Sequence, residues 1–123
     1  MRILLVDDNQ QYREILADAL RQFGHAVCTA GDGGQALDLL EVTGFDLVIS
    51  DIEMPVLRGT ELHALIRRDP RFRSIPFVYL SGHSDMRIAA NACSDKRDSV
   101  LSKMTPVIEI IEIAKDLTTF SVN

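Results

Sequence analysis

Ile3-Leu4-Leu5-Val6-Asp7-Asp8 is the stretch on which the fold turns. Its four apolar residues do not alternate with polar ones, so a strand built from them is buried on both faces. Such a strand belongs inside a parallel sheet that has helices on each side. The run ends in two carboxylates, which puts acid at the strand's C-terminal end.

The same pattern repeats downstream. Tyr12, Ile15, Leu16, Ala19, Leu20 and Phe23 recur at helical spacing, between a candidate N-cap at Asn9 and a candidate C′ glycine at Gly24. Residues 26–30 form a weaker strand. Residues 35–42 carry a second helix with Ala36, Leu37, Leu39 and Leu40 inward. Leu47-Val48-Ile49 is another buried strand, and it runs into Asp51. Leu62, Leu65 and Ile66 mark a third helix, stopped by Asp69-Pro70. Phe77-Val78-Tyr79-Leu80 precedes Ser81-Gly82, and a fourth helix from about Asp85 is poorly marked because its apolar positions are mostly alanine. Val100-Leu101 lies in a short strand before Lys103. Thr105-Pro106 supplies an N-cap and N1 pair for a last helix through about Thr119.

Five strand–helix units in alternation predict an α/β fold: a doubly wound parallel sheet in a three-layer sandwich, with strand order 2-1-3-4-5. At 123 residues the chain suits one domain over 1–123, and 46% hydrophobic residues suffice for a core without disulfides or structural metal. A net charge of −5 removes the basic footprint that nucleic acid requires. No Lys/Arg run addresses an anionic membrane surface. The N-terminal apolar run is too short for a signal peptide, and no stretch reaches the length of a membrane span, so the expectation is a cytoplasmic protein. Cys28 and Cys93 are far apart in sequence and read as reduced, inert thiols.

Ligands in doubly wound sheets sit beyond the strand C-termini, where the strand order reverses. Asp7 and Asp8 follow the first strand, Asp51 the third, Ser81 the fourth and Lys103 the fifth, so all five should meet at one edge. Three carboxylates held close together repel one another. An all-oxygen site of this kind suits Mg²⁺ or Mn²⁺, while Lys103 and the Ser81 hydroxyl match an incoming phosphoryl group.

Val6-Asp7-Asp8-Asn9, Asp51-Ile52-Glu53-Met54-Pro55 with Gly59, Leu80-Ser81-Gly82 and Lys103 together resemble the receiver domains of two-component response regulators, in order and over the whole chain. The resemblance is to the chemotaxis-regulator type and implies a flavodoxin-like sandwich. It implies that Asp51 accepts a phosphoryl group from a histidine kinase or a histidine phosphotransfer protein. Asp8 and Asp51 would bind the metal directly, Asp7 through water, and the Glu53 backbone carbonyl would be a further ligand. Lys103 would bind the acyl phosphate, Ser81 would move onto it, and Gly82 would keep phosphate access open. Receivers speed only their own phosphorylation and dephosphorylation, so the chain is not expected to be an enzyme.

Two positions depart from the family. Receivers usually carry Tyr or Phe three residues before the lysine, where this chain has Val100, too short for a rotamer swing. They usually follow the lysine with a cis proline. Here Met104 follows, and a non-proline cis bond costs about 2.5–4 kcal/mol, so trans is expected. Residues 91–98 are unusually polar for this region. The Glu53 side chain either points to solvent or crowds the phosphoryl group. His83 reads as a loop residue with possible influence on phosphate lifetime, and His25 and His63 as structural or surface. In the last helix, Val107, Ile110, Ile111 and Ala114 make one stripe with Ile108, Ile113 and Leu117 partly outside it. This suggests either a wide core stripe or a homodimer or effector surface formed by helix 4, strand 5 and helix 5.

Three functions compete. The first is a phosphorylation-driven switch, and the second a phosphate-independent pseudo-receiver acting as an interaction module. The third is a haloacid-dehalogenase-type phosphatase. That family has Asp-x-Asp after its first strand; here the pair is adjacent. Gly31-Asp32-Gly33-Gly34 fits a turn better than a phosphate loop. No effector sequence follows the last helix, so the chain reads as a stand-alone regulator or an excised receiver.

Overall fold

The computed structural model describes residues 1–82, 85–93 and 96–122, except for the side chains of 119–122. His83 and the polar residues Ser94 and Asp95 lie outside the described residues.

The elements follow the expected alternation: β1 (Arg2–Val6), α1 (Gln10–Gln22), β2 (Ala26–Ala30), α2 (Gly33–Val42), β3 (Leu47–Ser50), α3 (Gly59–Arg68), β4 (Phe77–Ser81), α4 (Met86–Ala92), β5 (Asp98–Ser102) and α5 (Val107–Val122). The sheet has the order β2-β1-β3-β4-β5, and every pairing is parallel. Alternate residues of each strand serve opposite cores. Leu4, Val6, Val48, Phe77 and Tyr79 pack with Ala36, Leu40, Leu62, Ile66 and Ala89 from α2, α3 and α4. Ile3, Leu5, Leu47, Ile49, Val78 and Leu80 pack with Leu16, Ala17, Leu20, Ile110, Ile111 and Ala114 from α1 and α5. Each fully buried Leu, Ile or Phe among these contributes about 1.5–3 kcal/mol relative to exposure. A two-sided core therefore explains why the central strands need unbroken apolar runs.

The caps of α1 are as expected. The Asn9 side chain accepts from the Tyr12 amide, and Gly24 adopts φ 91° just past the C-cap at Phe23. Its buried stripe is narrower than expected. Leu16, Ala17 and Leu20 face the sheet, whereas Ile15 and Phe23 are exposed. Successive helical residues are 100° apart, so a stripe centred on 16, 17 and 20 leaves Ile15 well over a quarter-turn from its centre, on the solvent side. The second helix starts two residues earlier than expected because Asp32, rather than the glycine turn after it, caps the Gln35 amide at 2.8 Å. Leu37 and Leu39 are only partly buried, and Leu65 of α3 is largely exposed.

α5 corrects one expectation and decides between two alternatives left open for another. It begins at Val107, and the Pro106 carbonyl accepts from the Ile110 amide at 3.2 Å, so Pro106 stands just before the helix rather than at N1. Leu117 is buried and Ile113 packs against the core; of the three surplus apolar residues, only Ile108 stays exposed. The apolar excess is therefore mainly a wide core stripe, because α5 lies along both α1 and the sheet.

A buried ion cluster fastens β5 to α3. The Asp98 carboxylate accepts from Arg67 at 2.5 Å and lies 2.9 Å from His63 Nε2. The His63 ring meets Phe77 edge-on at 4.9 Å. Both cysteines are free thiols. The Lys103–Met104 bond is trans, as no cis peptide occurs among the described residues. Among these residues no helix is long and apolar enough to cross a membrane.

Candidate functional site

The parallel register brings the strand ends together. Val6 pairs with Ser50 and Ser81 with Ser102. The ladder then runs one residue beyond the strands: Asp51 N donates to Val6 O at 2.9 Å, Asp7 N to Ala30 O at 3.1 Å and Lys103 N to Ser81 O at 2.9 Å. Asp7, Asp51 and Lys103 are therefore placed by backbone hydrogen bonds, and a one-residue slip would turn them to the wrong face.

Asp7 is only 1% exposed and Asp51 9%. Asp7 Oδ1 accepts from the Asn9 amide at 2.9 Å, and Oδ2 lies 2.9 Å from Lys103 Nζ. Asp51 Oδ1 accepts from the Ile52 amide at 2.8 Å, and Oδ2 lies 3.3 Å from Lys103 Nζ. Asp8 is exposed, and one carboxylate oxygen from each of Asp7, Asp8 and Asp51 lies within 4.8 Å of the others. Burial, reinforced by the charge of Asp7, pushes the Asp51 carboxyl above the usual carboxylate range; the Ile52 amide and Lys103 only partly oppose this. Burial pulls the Lys103 ammonium down, but its hydrogen bond to Asp7 and the charges of both carboxylates outweigh that, and its pKa is raised.

One lysine cannot balance three carboxylates. The donors are all hard oxygens, one of them open to solvent, and that set fits Mg²⁺ or Mn²⁺.

Ser81 is fully buried, and its hydroxyl donates to the Gly82 carbonyl at 2.7 Å. Gly82 is exposed, and a Cβ placed there would meet nothing within 4 Å. The Glu53 side chain is exposed and sits 3.9 Å from Arg58, so of the two orientations considered it takes the outward one. Val100 pairs with Tyr79 of β4 and packs on the α2–α4 core. The buried aromatic at this level is Tyr79, one strand away.

Two contacts escaped the sequence reading. The Tyr12 ring lies 4.9 Å from Lys103 Nζ, although helical periodicity marked Tyr12 only as a core position. Gly59 is the other. A Cβ there would collide with the Asp51 carbonyl oxygen and stand 3.0 Å from Ile52 Cα. Gly59 N also donates to Ile52 O at 2.7 Å, so α3 begins in direct backbone contact with the Asp51 loop. That loop contains a tight turn: Leu57 N donates to Pro55 O at 2.7 Å around Val56, whose φ is 71°.

The model of the response regulator receiver domain family matches residues 3–115. The probable chemotaxis protein CheY of Rhizobium etli is 32% identical over 104 residues, 84% of this chain and 81% of that protein. The CAI-1 autoinducer sensor kinase/phosphatase CqsS of Vibrio cholerae is 40% identical over 90 residues, 72% of this chain but 13% of that protein. Among solved structures, the receiver domain of the sensor histidine kinase PA1611 from Pseudomonas aeruginosa, with a magnesium ion coordinated in its active-site cleft, superposes with a TM-score of 0.86. It is 26% identical, covering 96% of this chain and 97% of that one. The signal receiver domain of an HD domain-containing protein from Pseudomonas fluorescens gives a TM-score of 0.87 at 28% identity, covering 98% of this chain and 95% of that one. The chain thus spans nearly all of some relatives and a small fraction of others.

Proposed function

The chain belongs to the response regulator receiver domain family of two-component signalling, and from that premise we propose that it is a switch that takes a phosphoryl group onto Asp51 from a histidine kinase or a histidine phosphotransfer protein. The observation that carries this reading is the Asp51 carboxylate itself. It is nearly buried, lies beside Asp7, and has the Lys103 ammonium 3.3 Å away. An Asp51 oxygen attacks the phosphorus of a phosphohistidine, the P–N bond breaks with its electron pair left on the imidazole, and an acyl phosphate forms. Lys103 neutralises the transferred group, and the Ser81 hydroxyl, now on the Gly82 carbonyl, turns to donate to it. Gly82 leaves the approach open.

Asp7, Asp8, Asp51 and the Glu53 backbone carbonyl would hold Mg²⁺ or Mn²⁺. When bound, that cation supplies the positive charge that lets a phosphoryl group enter an acidic site. The chain acts as one receiver domain, in the cytoplasm, and passes its state to a homodimer partner or effector through the face of α4, β5 and α5. Acceptance of charge at Asp51 must bias a bistable element, and the end of β5 at Lys103 is the element in direct contact.

Incubating the protein with a small phosphodonor, with and without Mg²⁺, followed by intact mass, tests the proposal. One added phosphate is expected, dependent on Mg²⁺ and absent in Asp51→Asn. If the wild type takes no phosphate under any divalent cation, a phosphate-independent interaction module replaces the switch. Val100 in place of an aromatic residue supports that second reading. Turnover of a phosphomonoester would point instead to a phosphatase.

A further inference from the structure

Lys103 is the residue through which the site responds to added charge, and it is an unbranched side chain at the start of a turn. Its backbone is well held. Lys103 N donates to Ser81 O, and the turn after it is closed by Met104 N to Ser102 Oγ at 3.0 Å and Thr105 N to Ser102 O at 2.9 Å. Its head is held on one side only by Asp7 and Asp51. The next residue in the turn, Met104, is 89% exposed and gives the head no cover. On the other side of the ammonium lies the ring of Tyr12, 4.9 Å from Nζ.

That ring is not placed by chance. Tyr12 sits in the first turn of α1, where its amide is bound by the Asn9 side chain at 3.0 Å. The preceding chain is pinned by Asp7 Oδ1, which accepts from the Asn9 amide. Arg13, one residue on, donates to the Asp7 carbonyl at 2.8 Å. The aspartate that pairs with Lys103 therefore also fixes the helix that carries the ring. An aromatic face attracts a cation through its negative quadrupole, more strongly where water is excluded. The Lys103 side chain is 26% exposed, which leaves the attraction partly unscreened.

We propose that Tyr12 is a positioning residue whose ring face keeps the Lys103 ammonium inside the site when the carboxylates that hold it at rest are engaged elsewhere. A divalent cation at Asp7, Asp8 and Asp51 competes for the two carboxylates, Asp7 and Asp51, that now hold Lys103. The ring then remains as the lysine's other contact, and the head stays within reach of a group on Asp51 instead of extending into solvent. The ring face acts here, and the phenol hydroxyl does not. This inference rests on the reading of Asp51 as the phosphoacceptor, yet its geometric half can be tested alone.

The test has two arms. In the first, the Lys103 ε-methylene protons are followed by NMR in wild type, Tyr12→Phe and Tyr12→Leu, with and without Mg²⁺ and with no phosphodonor. Upfield ring-current shifts present in the first two proteins and lost in the third are expected, and they should persist with Mg²⁺. Equal shifts in all three proteins, or loss in the wild type on adding Mg²⁺, would overturn the inference whatever the protein does with phosphate. In the second arm, phosphorylation rates from a small phosphodonor are compared. Tyr12→Leu should be slower by about three- to ten-fold, the range a partly desolvated cation–π contact covers. Tyr12→Phe should stay within two-fold of wild type, roughly the smallest effect such a contact has. In a Lys103→Met background, Tyr12→Leu should add nothing. An equal slowing by Leu in that background would show that Tyr12 acts without Lys103, and slowing by Phe would assign the effect to the hydroxyl. Tyr12→Met stands in for Tyr12→Leu should the latter fail to fold. Failure of the wild type to take phosphate would remove the functional reading and leave the NMR arm to decide the contact.

Discussion

Gly59→Ala should disturb the site more than any other single methyl group added to a glycine of this protein. Gly59 opens α3, where alanine is ordinarily the better residue by up to about 1 kcal/mol. Here its Cβ would be driven into the Asp51 carbonyl oxygen and stand 3.0 Å from both the Asp51 carbonyl carbon and Ile52 Cα. All three obstacles are backbone, so no rotamer change relieves them. Either α3 moves out or the Asp51–Ile52 peptide moves in, and the 2.7 Å bond from Gly59 N to Ile52 O lengthens in both cases. Overpacking of this kind costs about 1–3 kcal/mol or more. Against a rigid backbone the upper end applies, and after the helix-propensity gain a net loss of about 2 kcal/mol is expected. For a domain of this size that lowers Tm by roughly 6–8 °C. Urea denaturation followed by circular dichroism measures the loss, and the phosphorylation rate reports the displacement of Asp51. Gly44→Ala is the control, because its Cβ meets nothing within 4 Å and it should be neutral or slightly stabilising. A Gly59→Ala protein with unchanged stability and unchanged phosphorylation would refute the claim that α3 and the phosphoacceptor loop share one rigid backbone contact.

Val56→Gly should raise stability by about 1 kcal/mol, since a β-branched residue is strained at φ 71° and glycine is not; a lower urea midpoint would contradict this. Asp98→Ala should cost about 3–5 kcal/mol, because it leaves the Arg67 guanidinium and His63 buried without the carboxylate between them. A loss under 1 kcal/mol in urea titration would mean that the cluster does not fasten β5 to α3. Asp51→Asn should stabilise the metal-free protein at neutral pH. Burial raises the folded carboxyl above its ordinary value near 3.8, so the native state binds this proton more tightly than the unfolded chain. Its stabilising contribution is complete below the unfolded value and is lost as pH rises through the folded one. The advantage of the asparagine variant should therefore shrink on acidification, as read by thermal melts from pH 7 downward; an advantage that grows would reverse the sign of the argument.

The strand–helix alternation and the carboxylates at the strand ends were legible in the sequence because each is a local signal, and the strand order followed from the doubly wound class that five such units imply. An unbroken apolar run reports two buried faces wherever it stands, and the residue after a parallel strand projects from the sheet's C-terminal edge in any such fold. Asp7, Asp51 and Lys103 could be grouped on those grounds alone. Asp8 was legible by adjacency.

What lay beyond the sequence were contacts between elements whose relative rotation no periodicity reports. Ile113 and Leu117 read as surplus until α5 was seated against α1 and the sheet, where the stripe it buries proved wide. Ile15 read as core and is exposed, because the rotation of α1 is set by what packs beneath it. His63 had no visible partner until β5 brought Asp98 within 2.9 Å across 35 residues of chain. Tyr12 became a neighbour of Lys103 only once α1 and the β5–α5 turn were laid side by side. Composition and spacing determine which elements form and which ends carry charge. How far one element turns toward another is settled by the packing of all of them together.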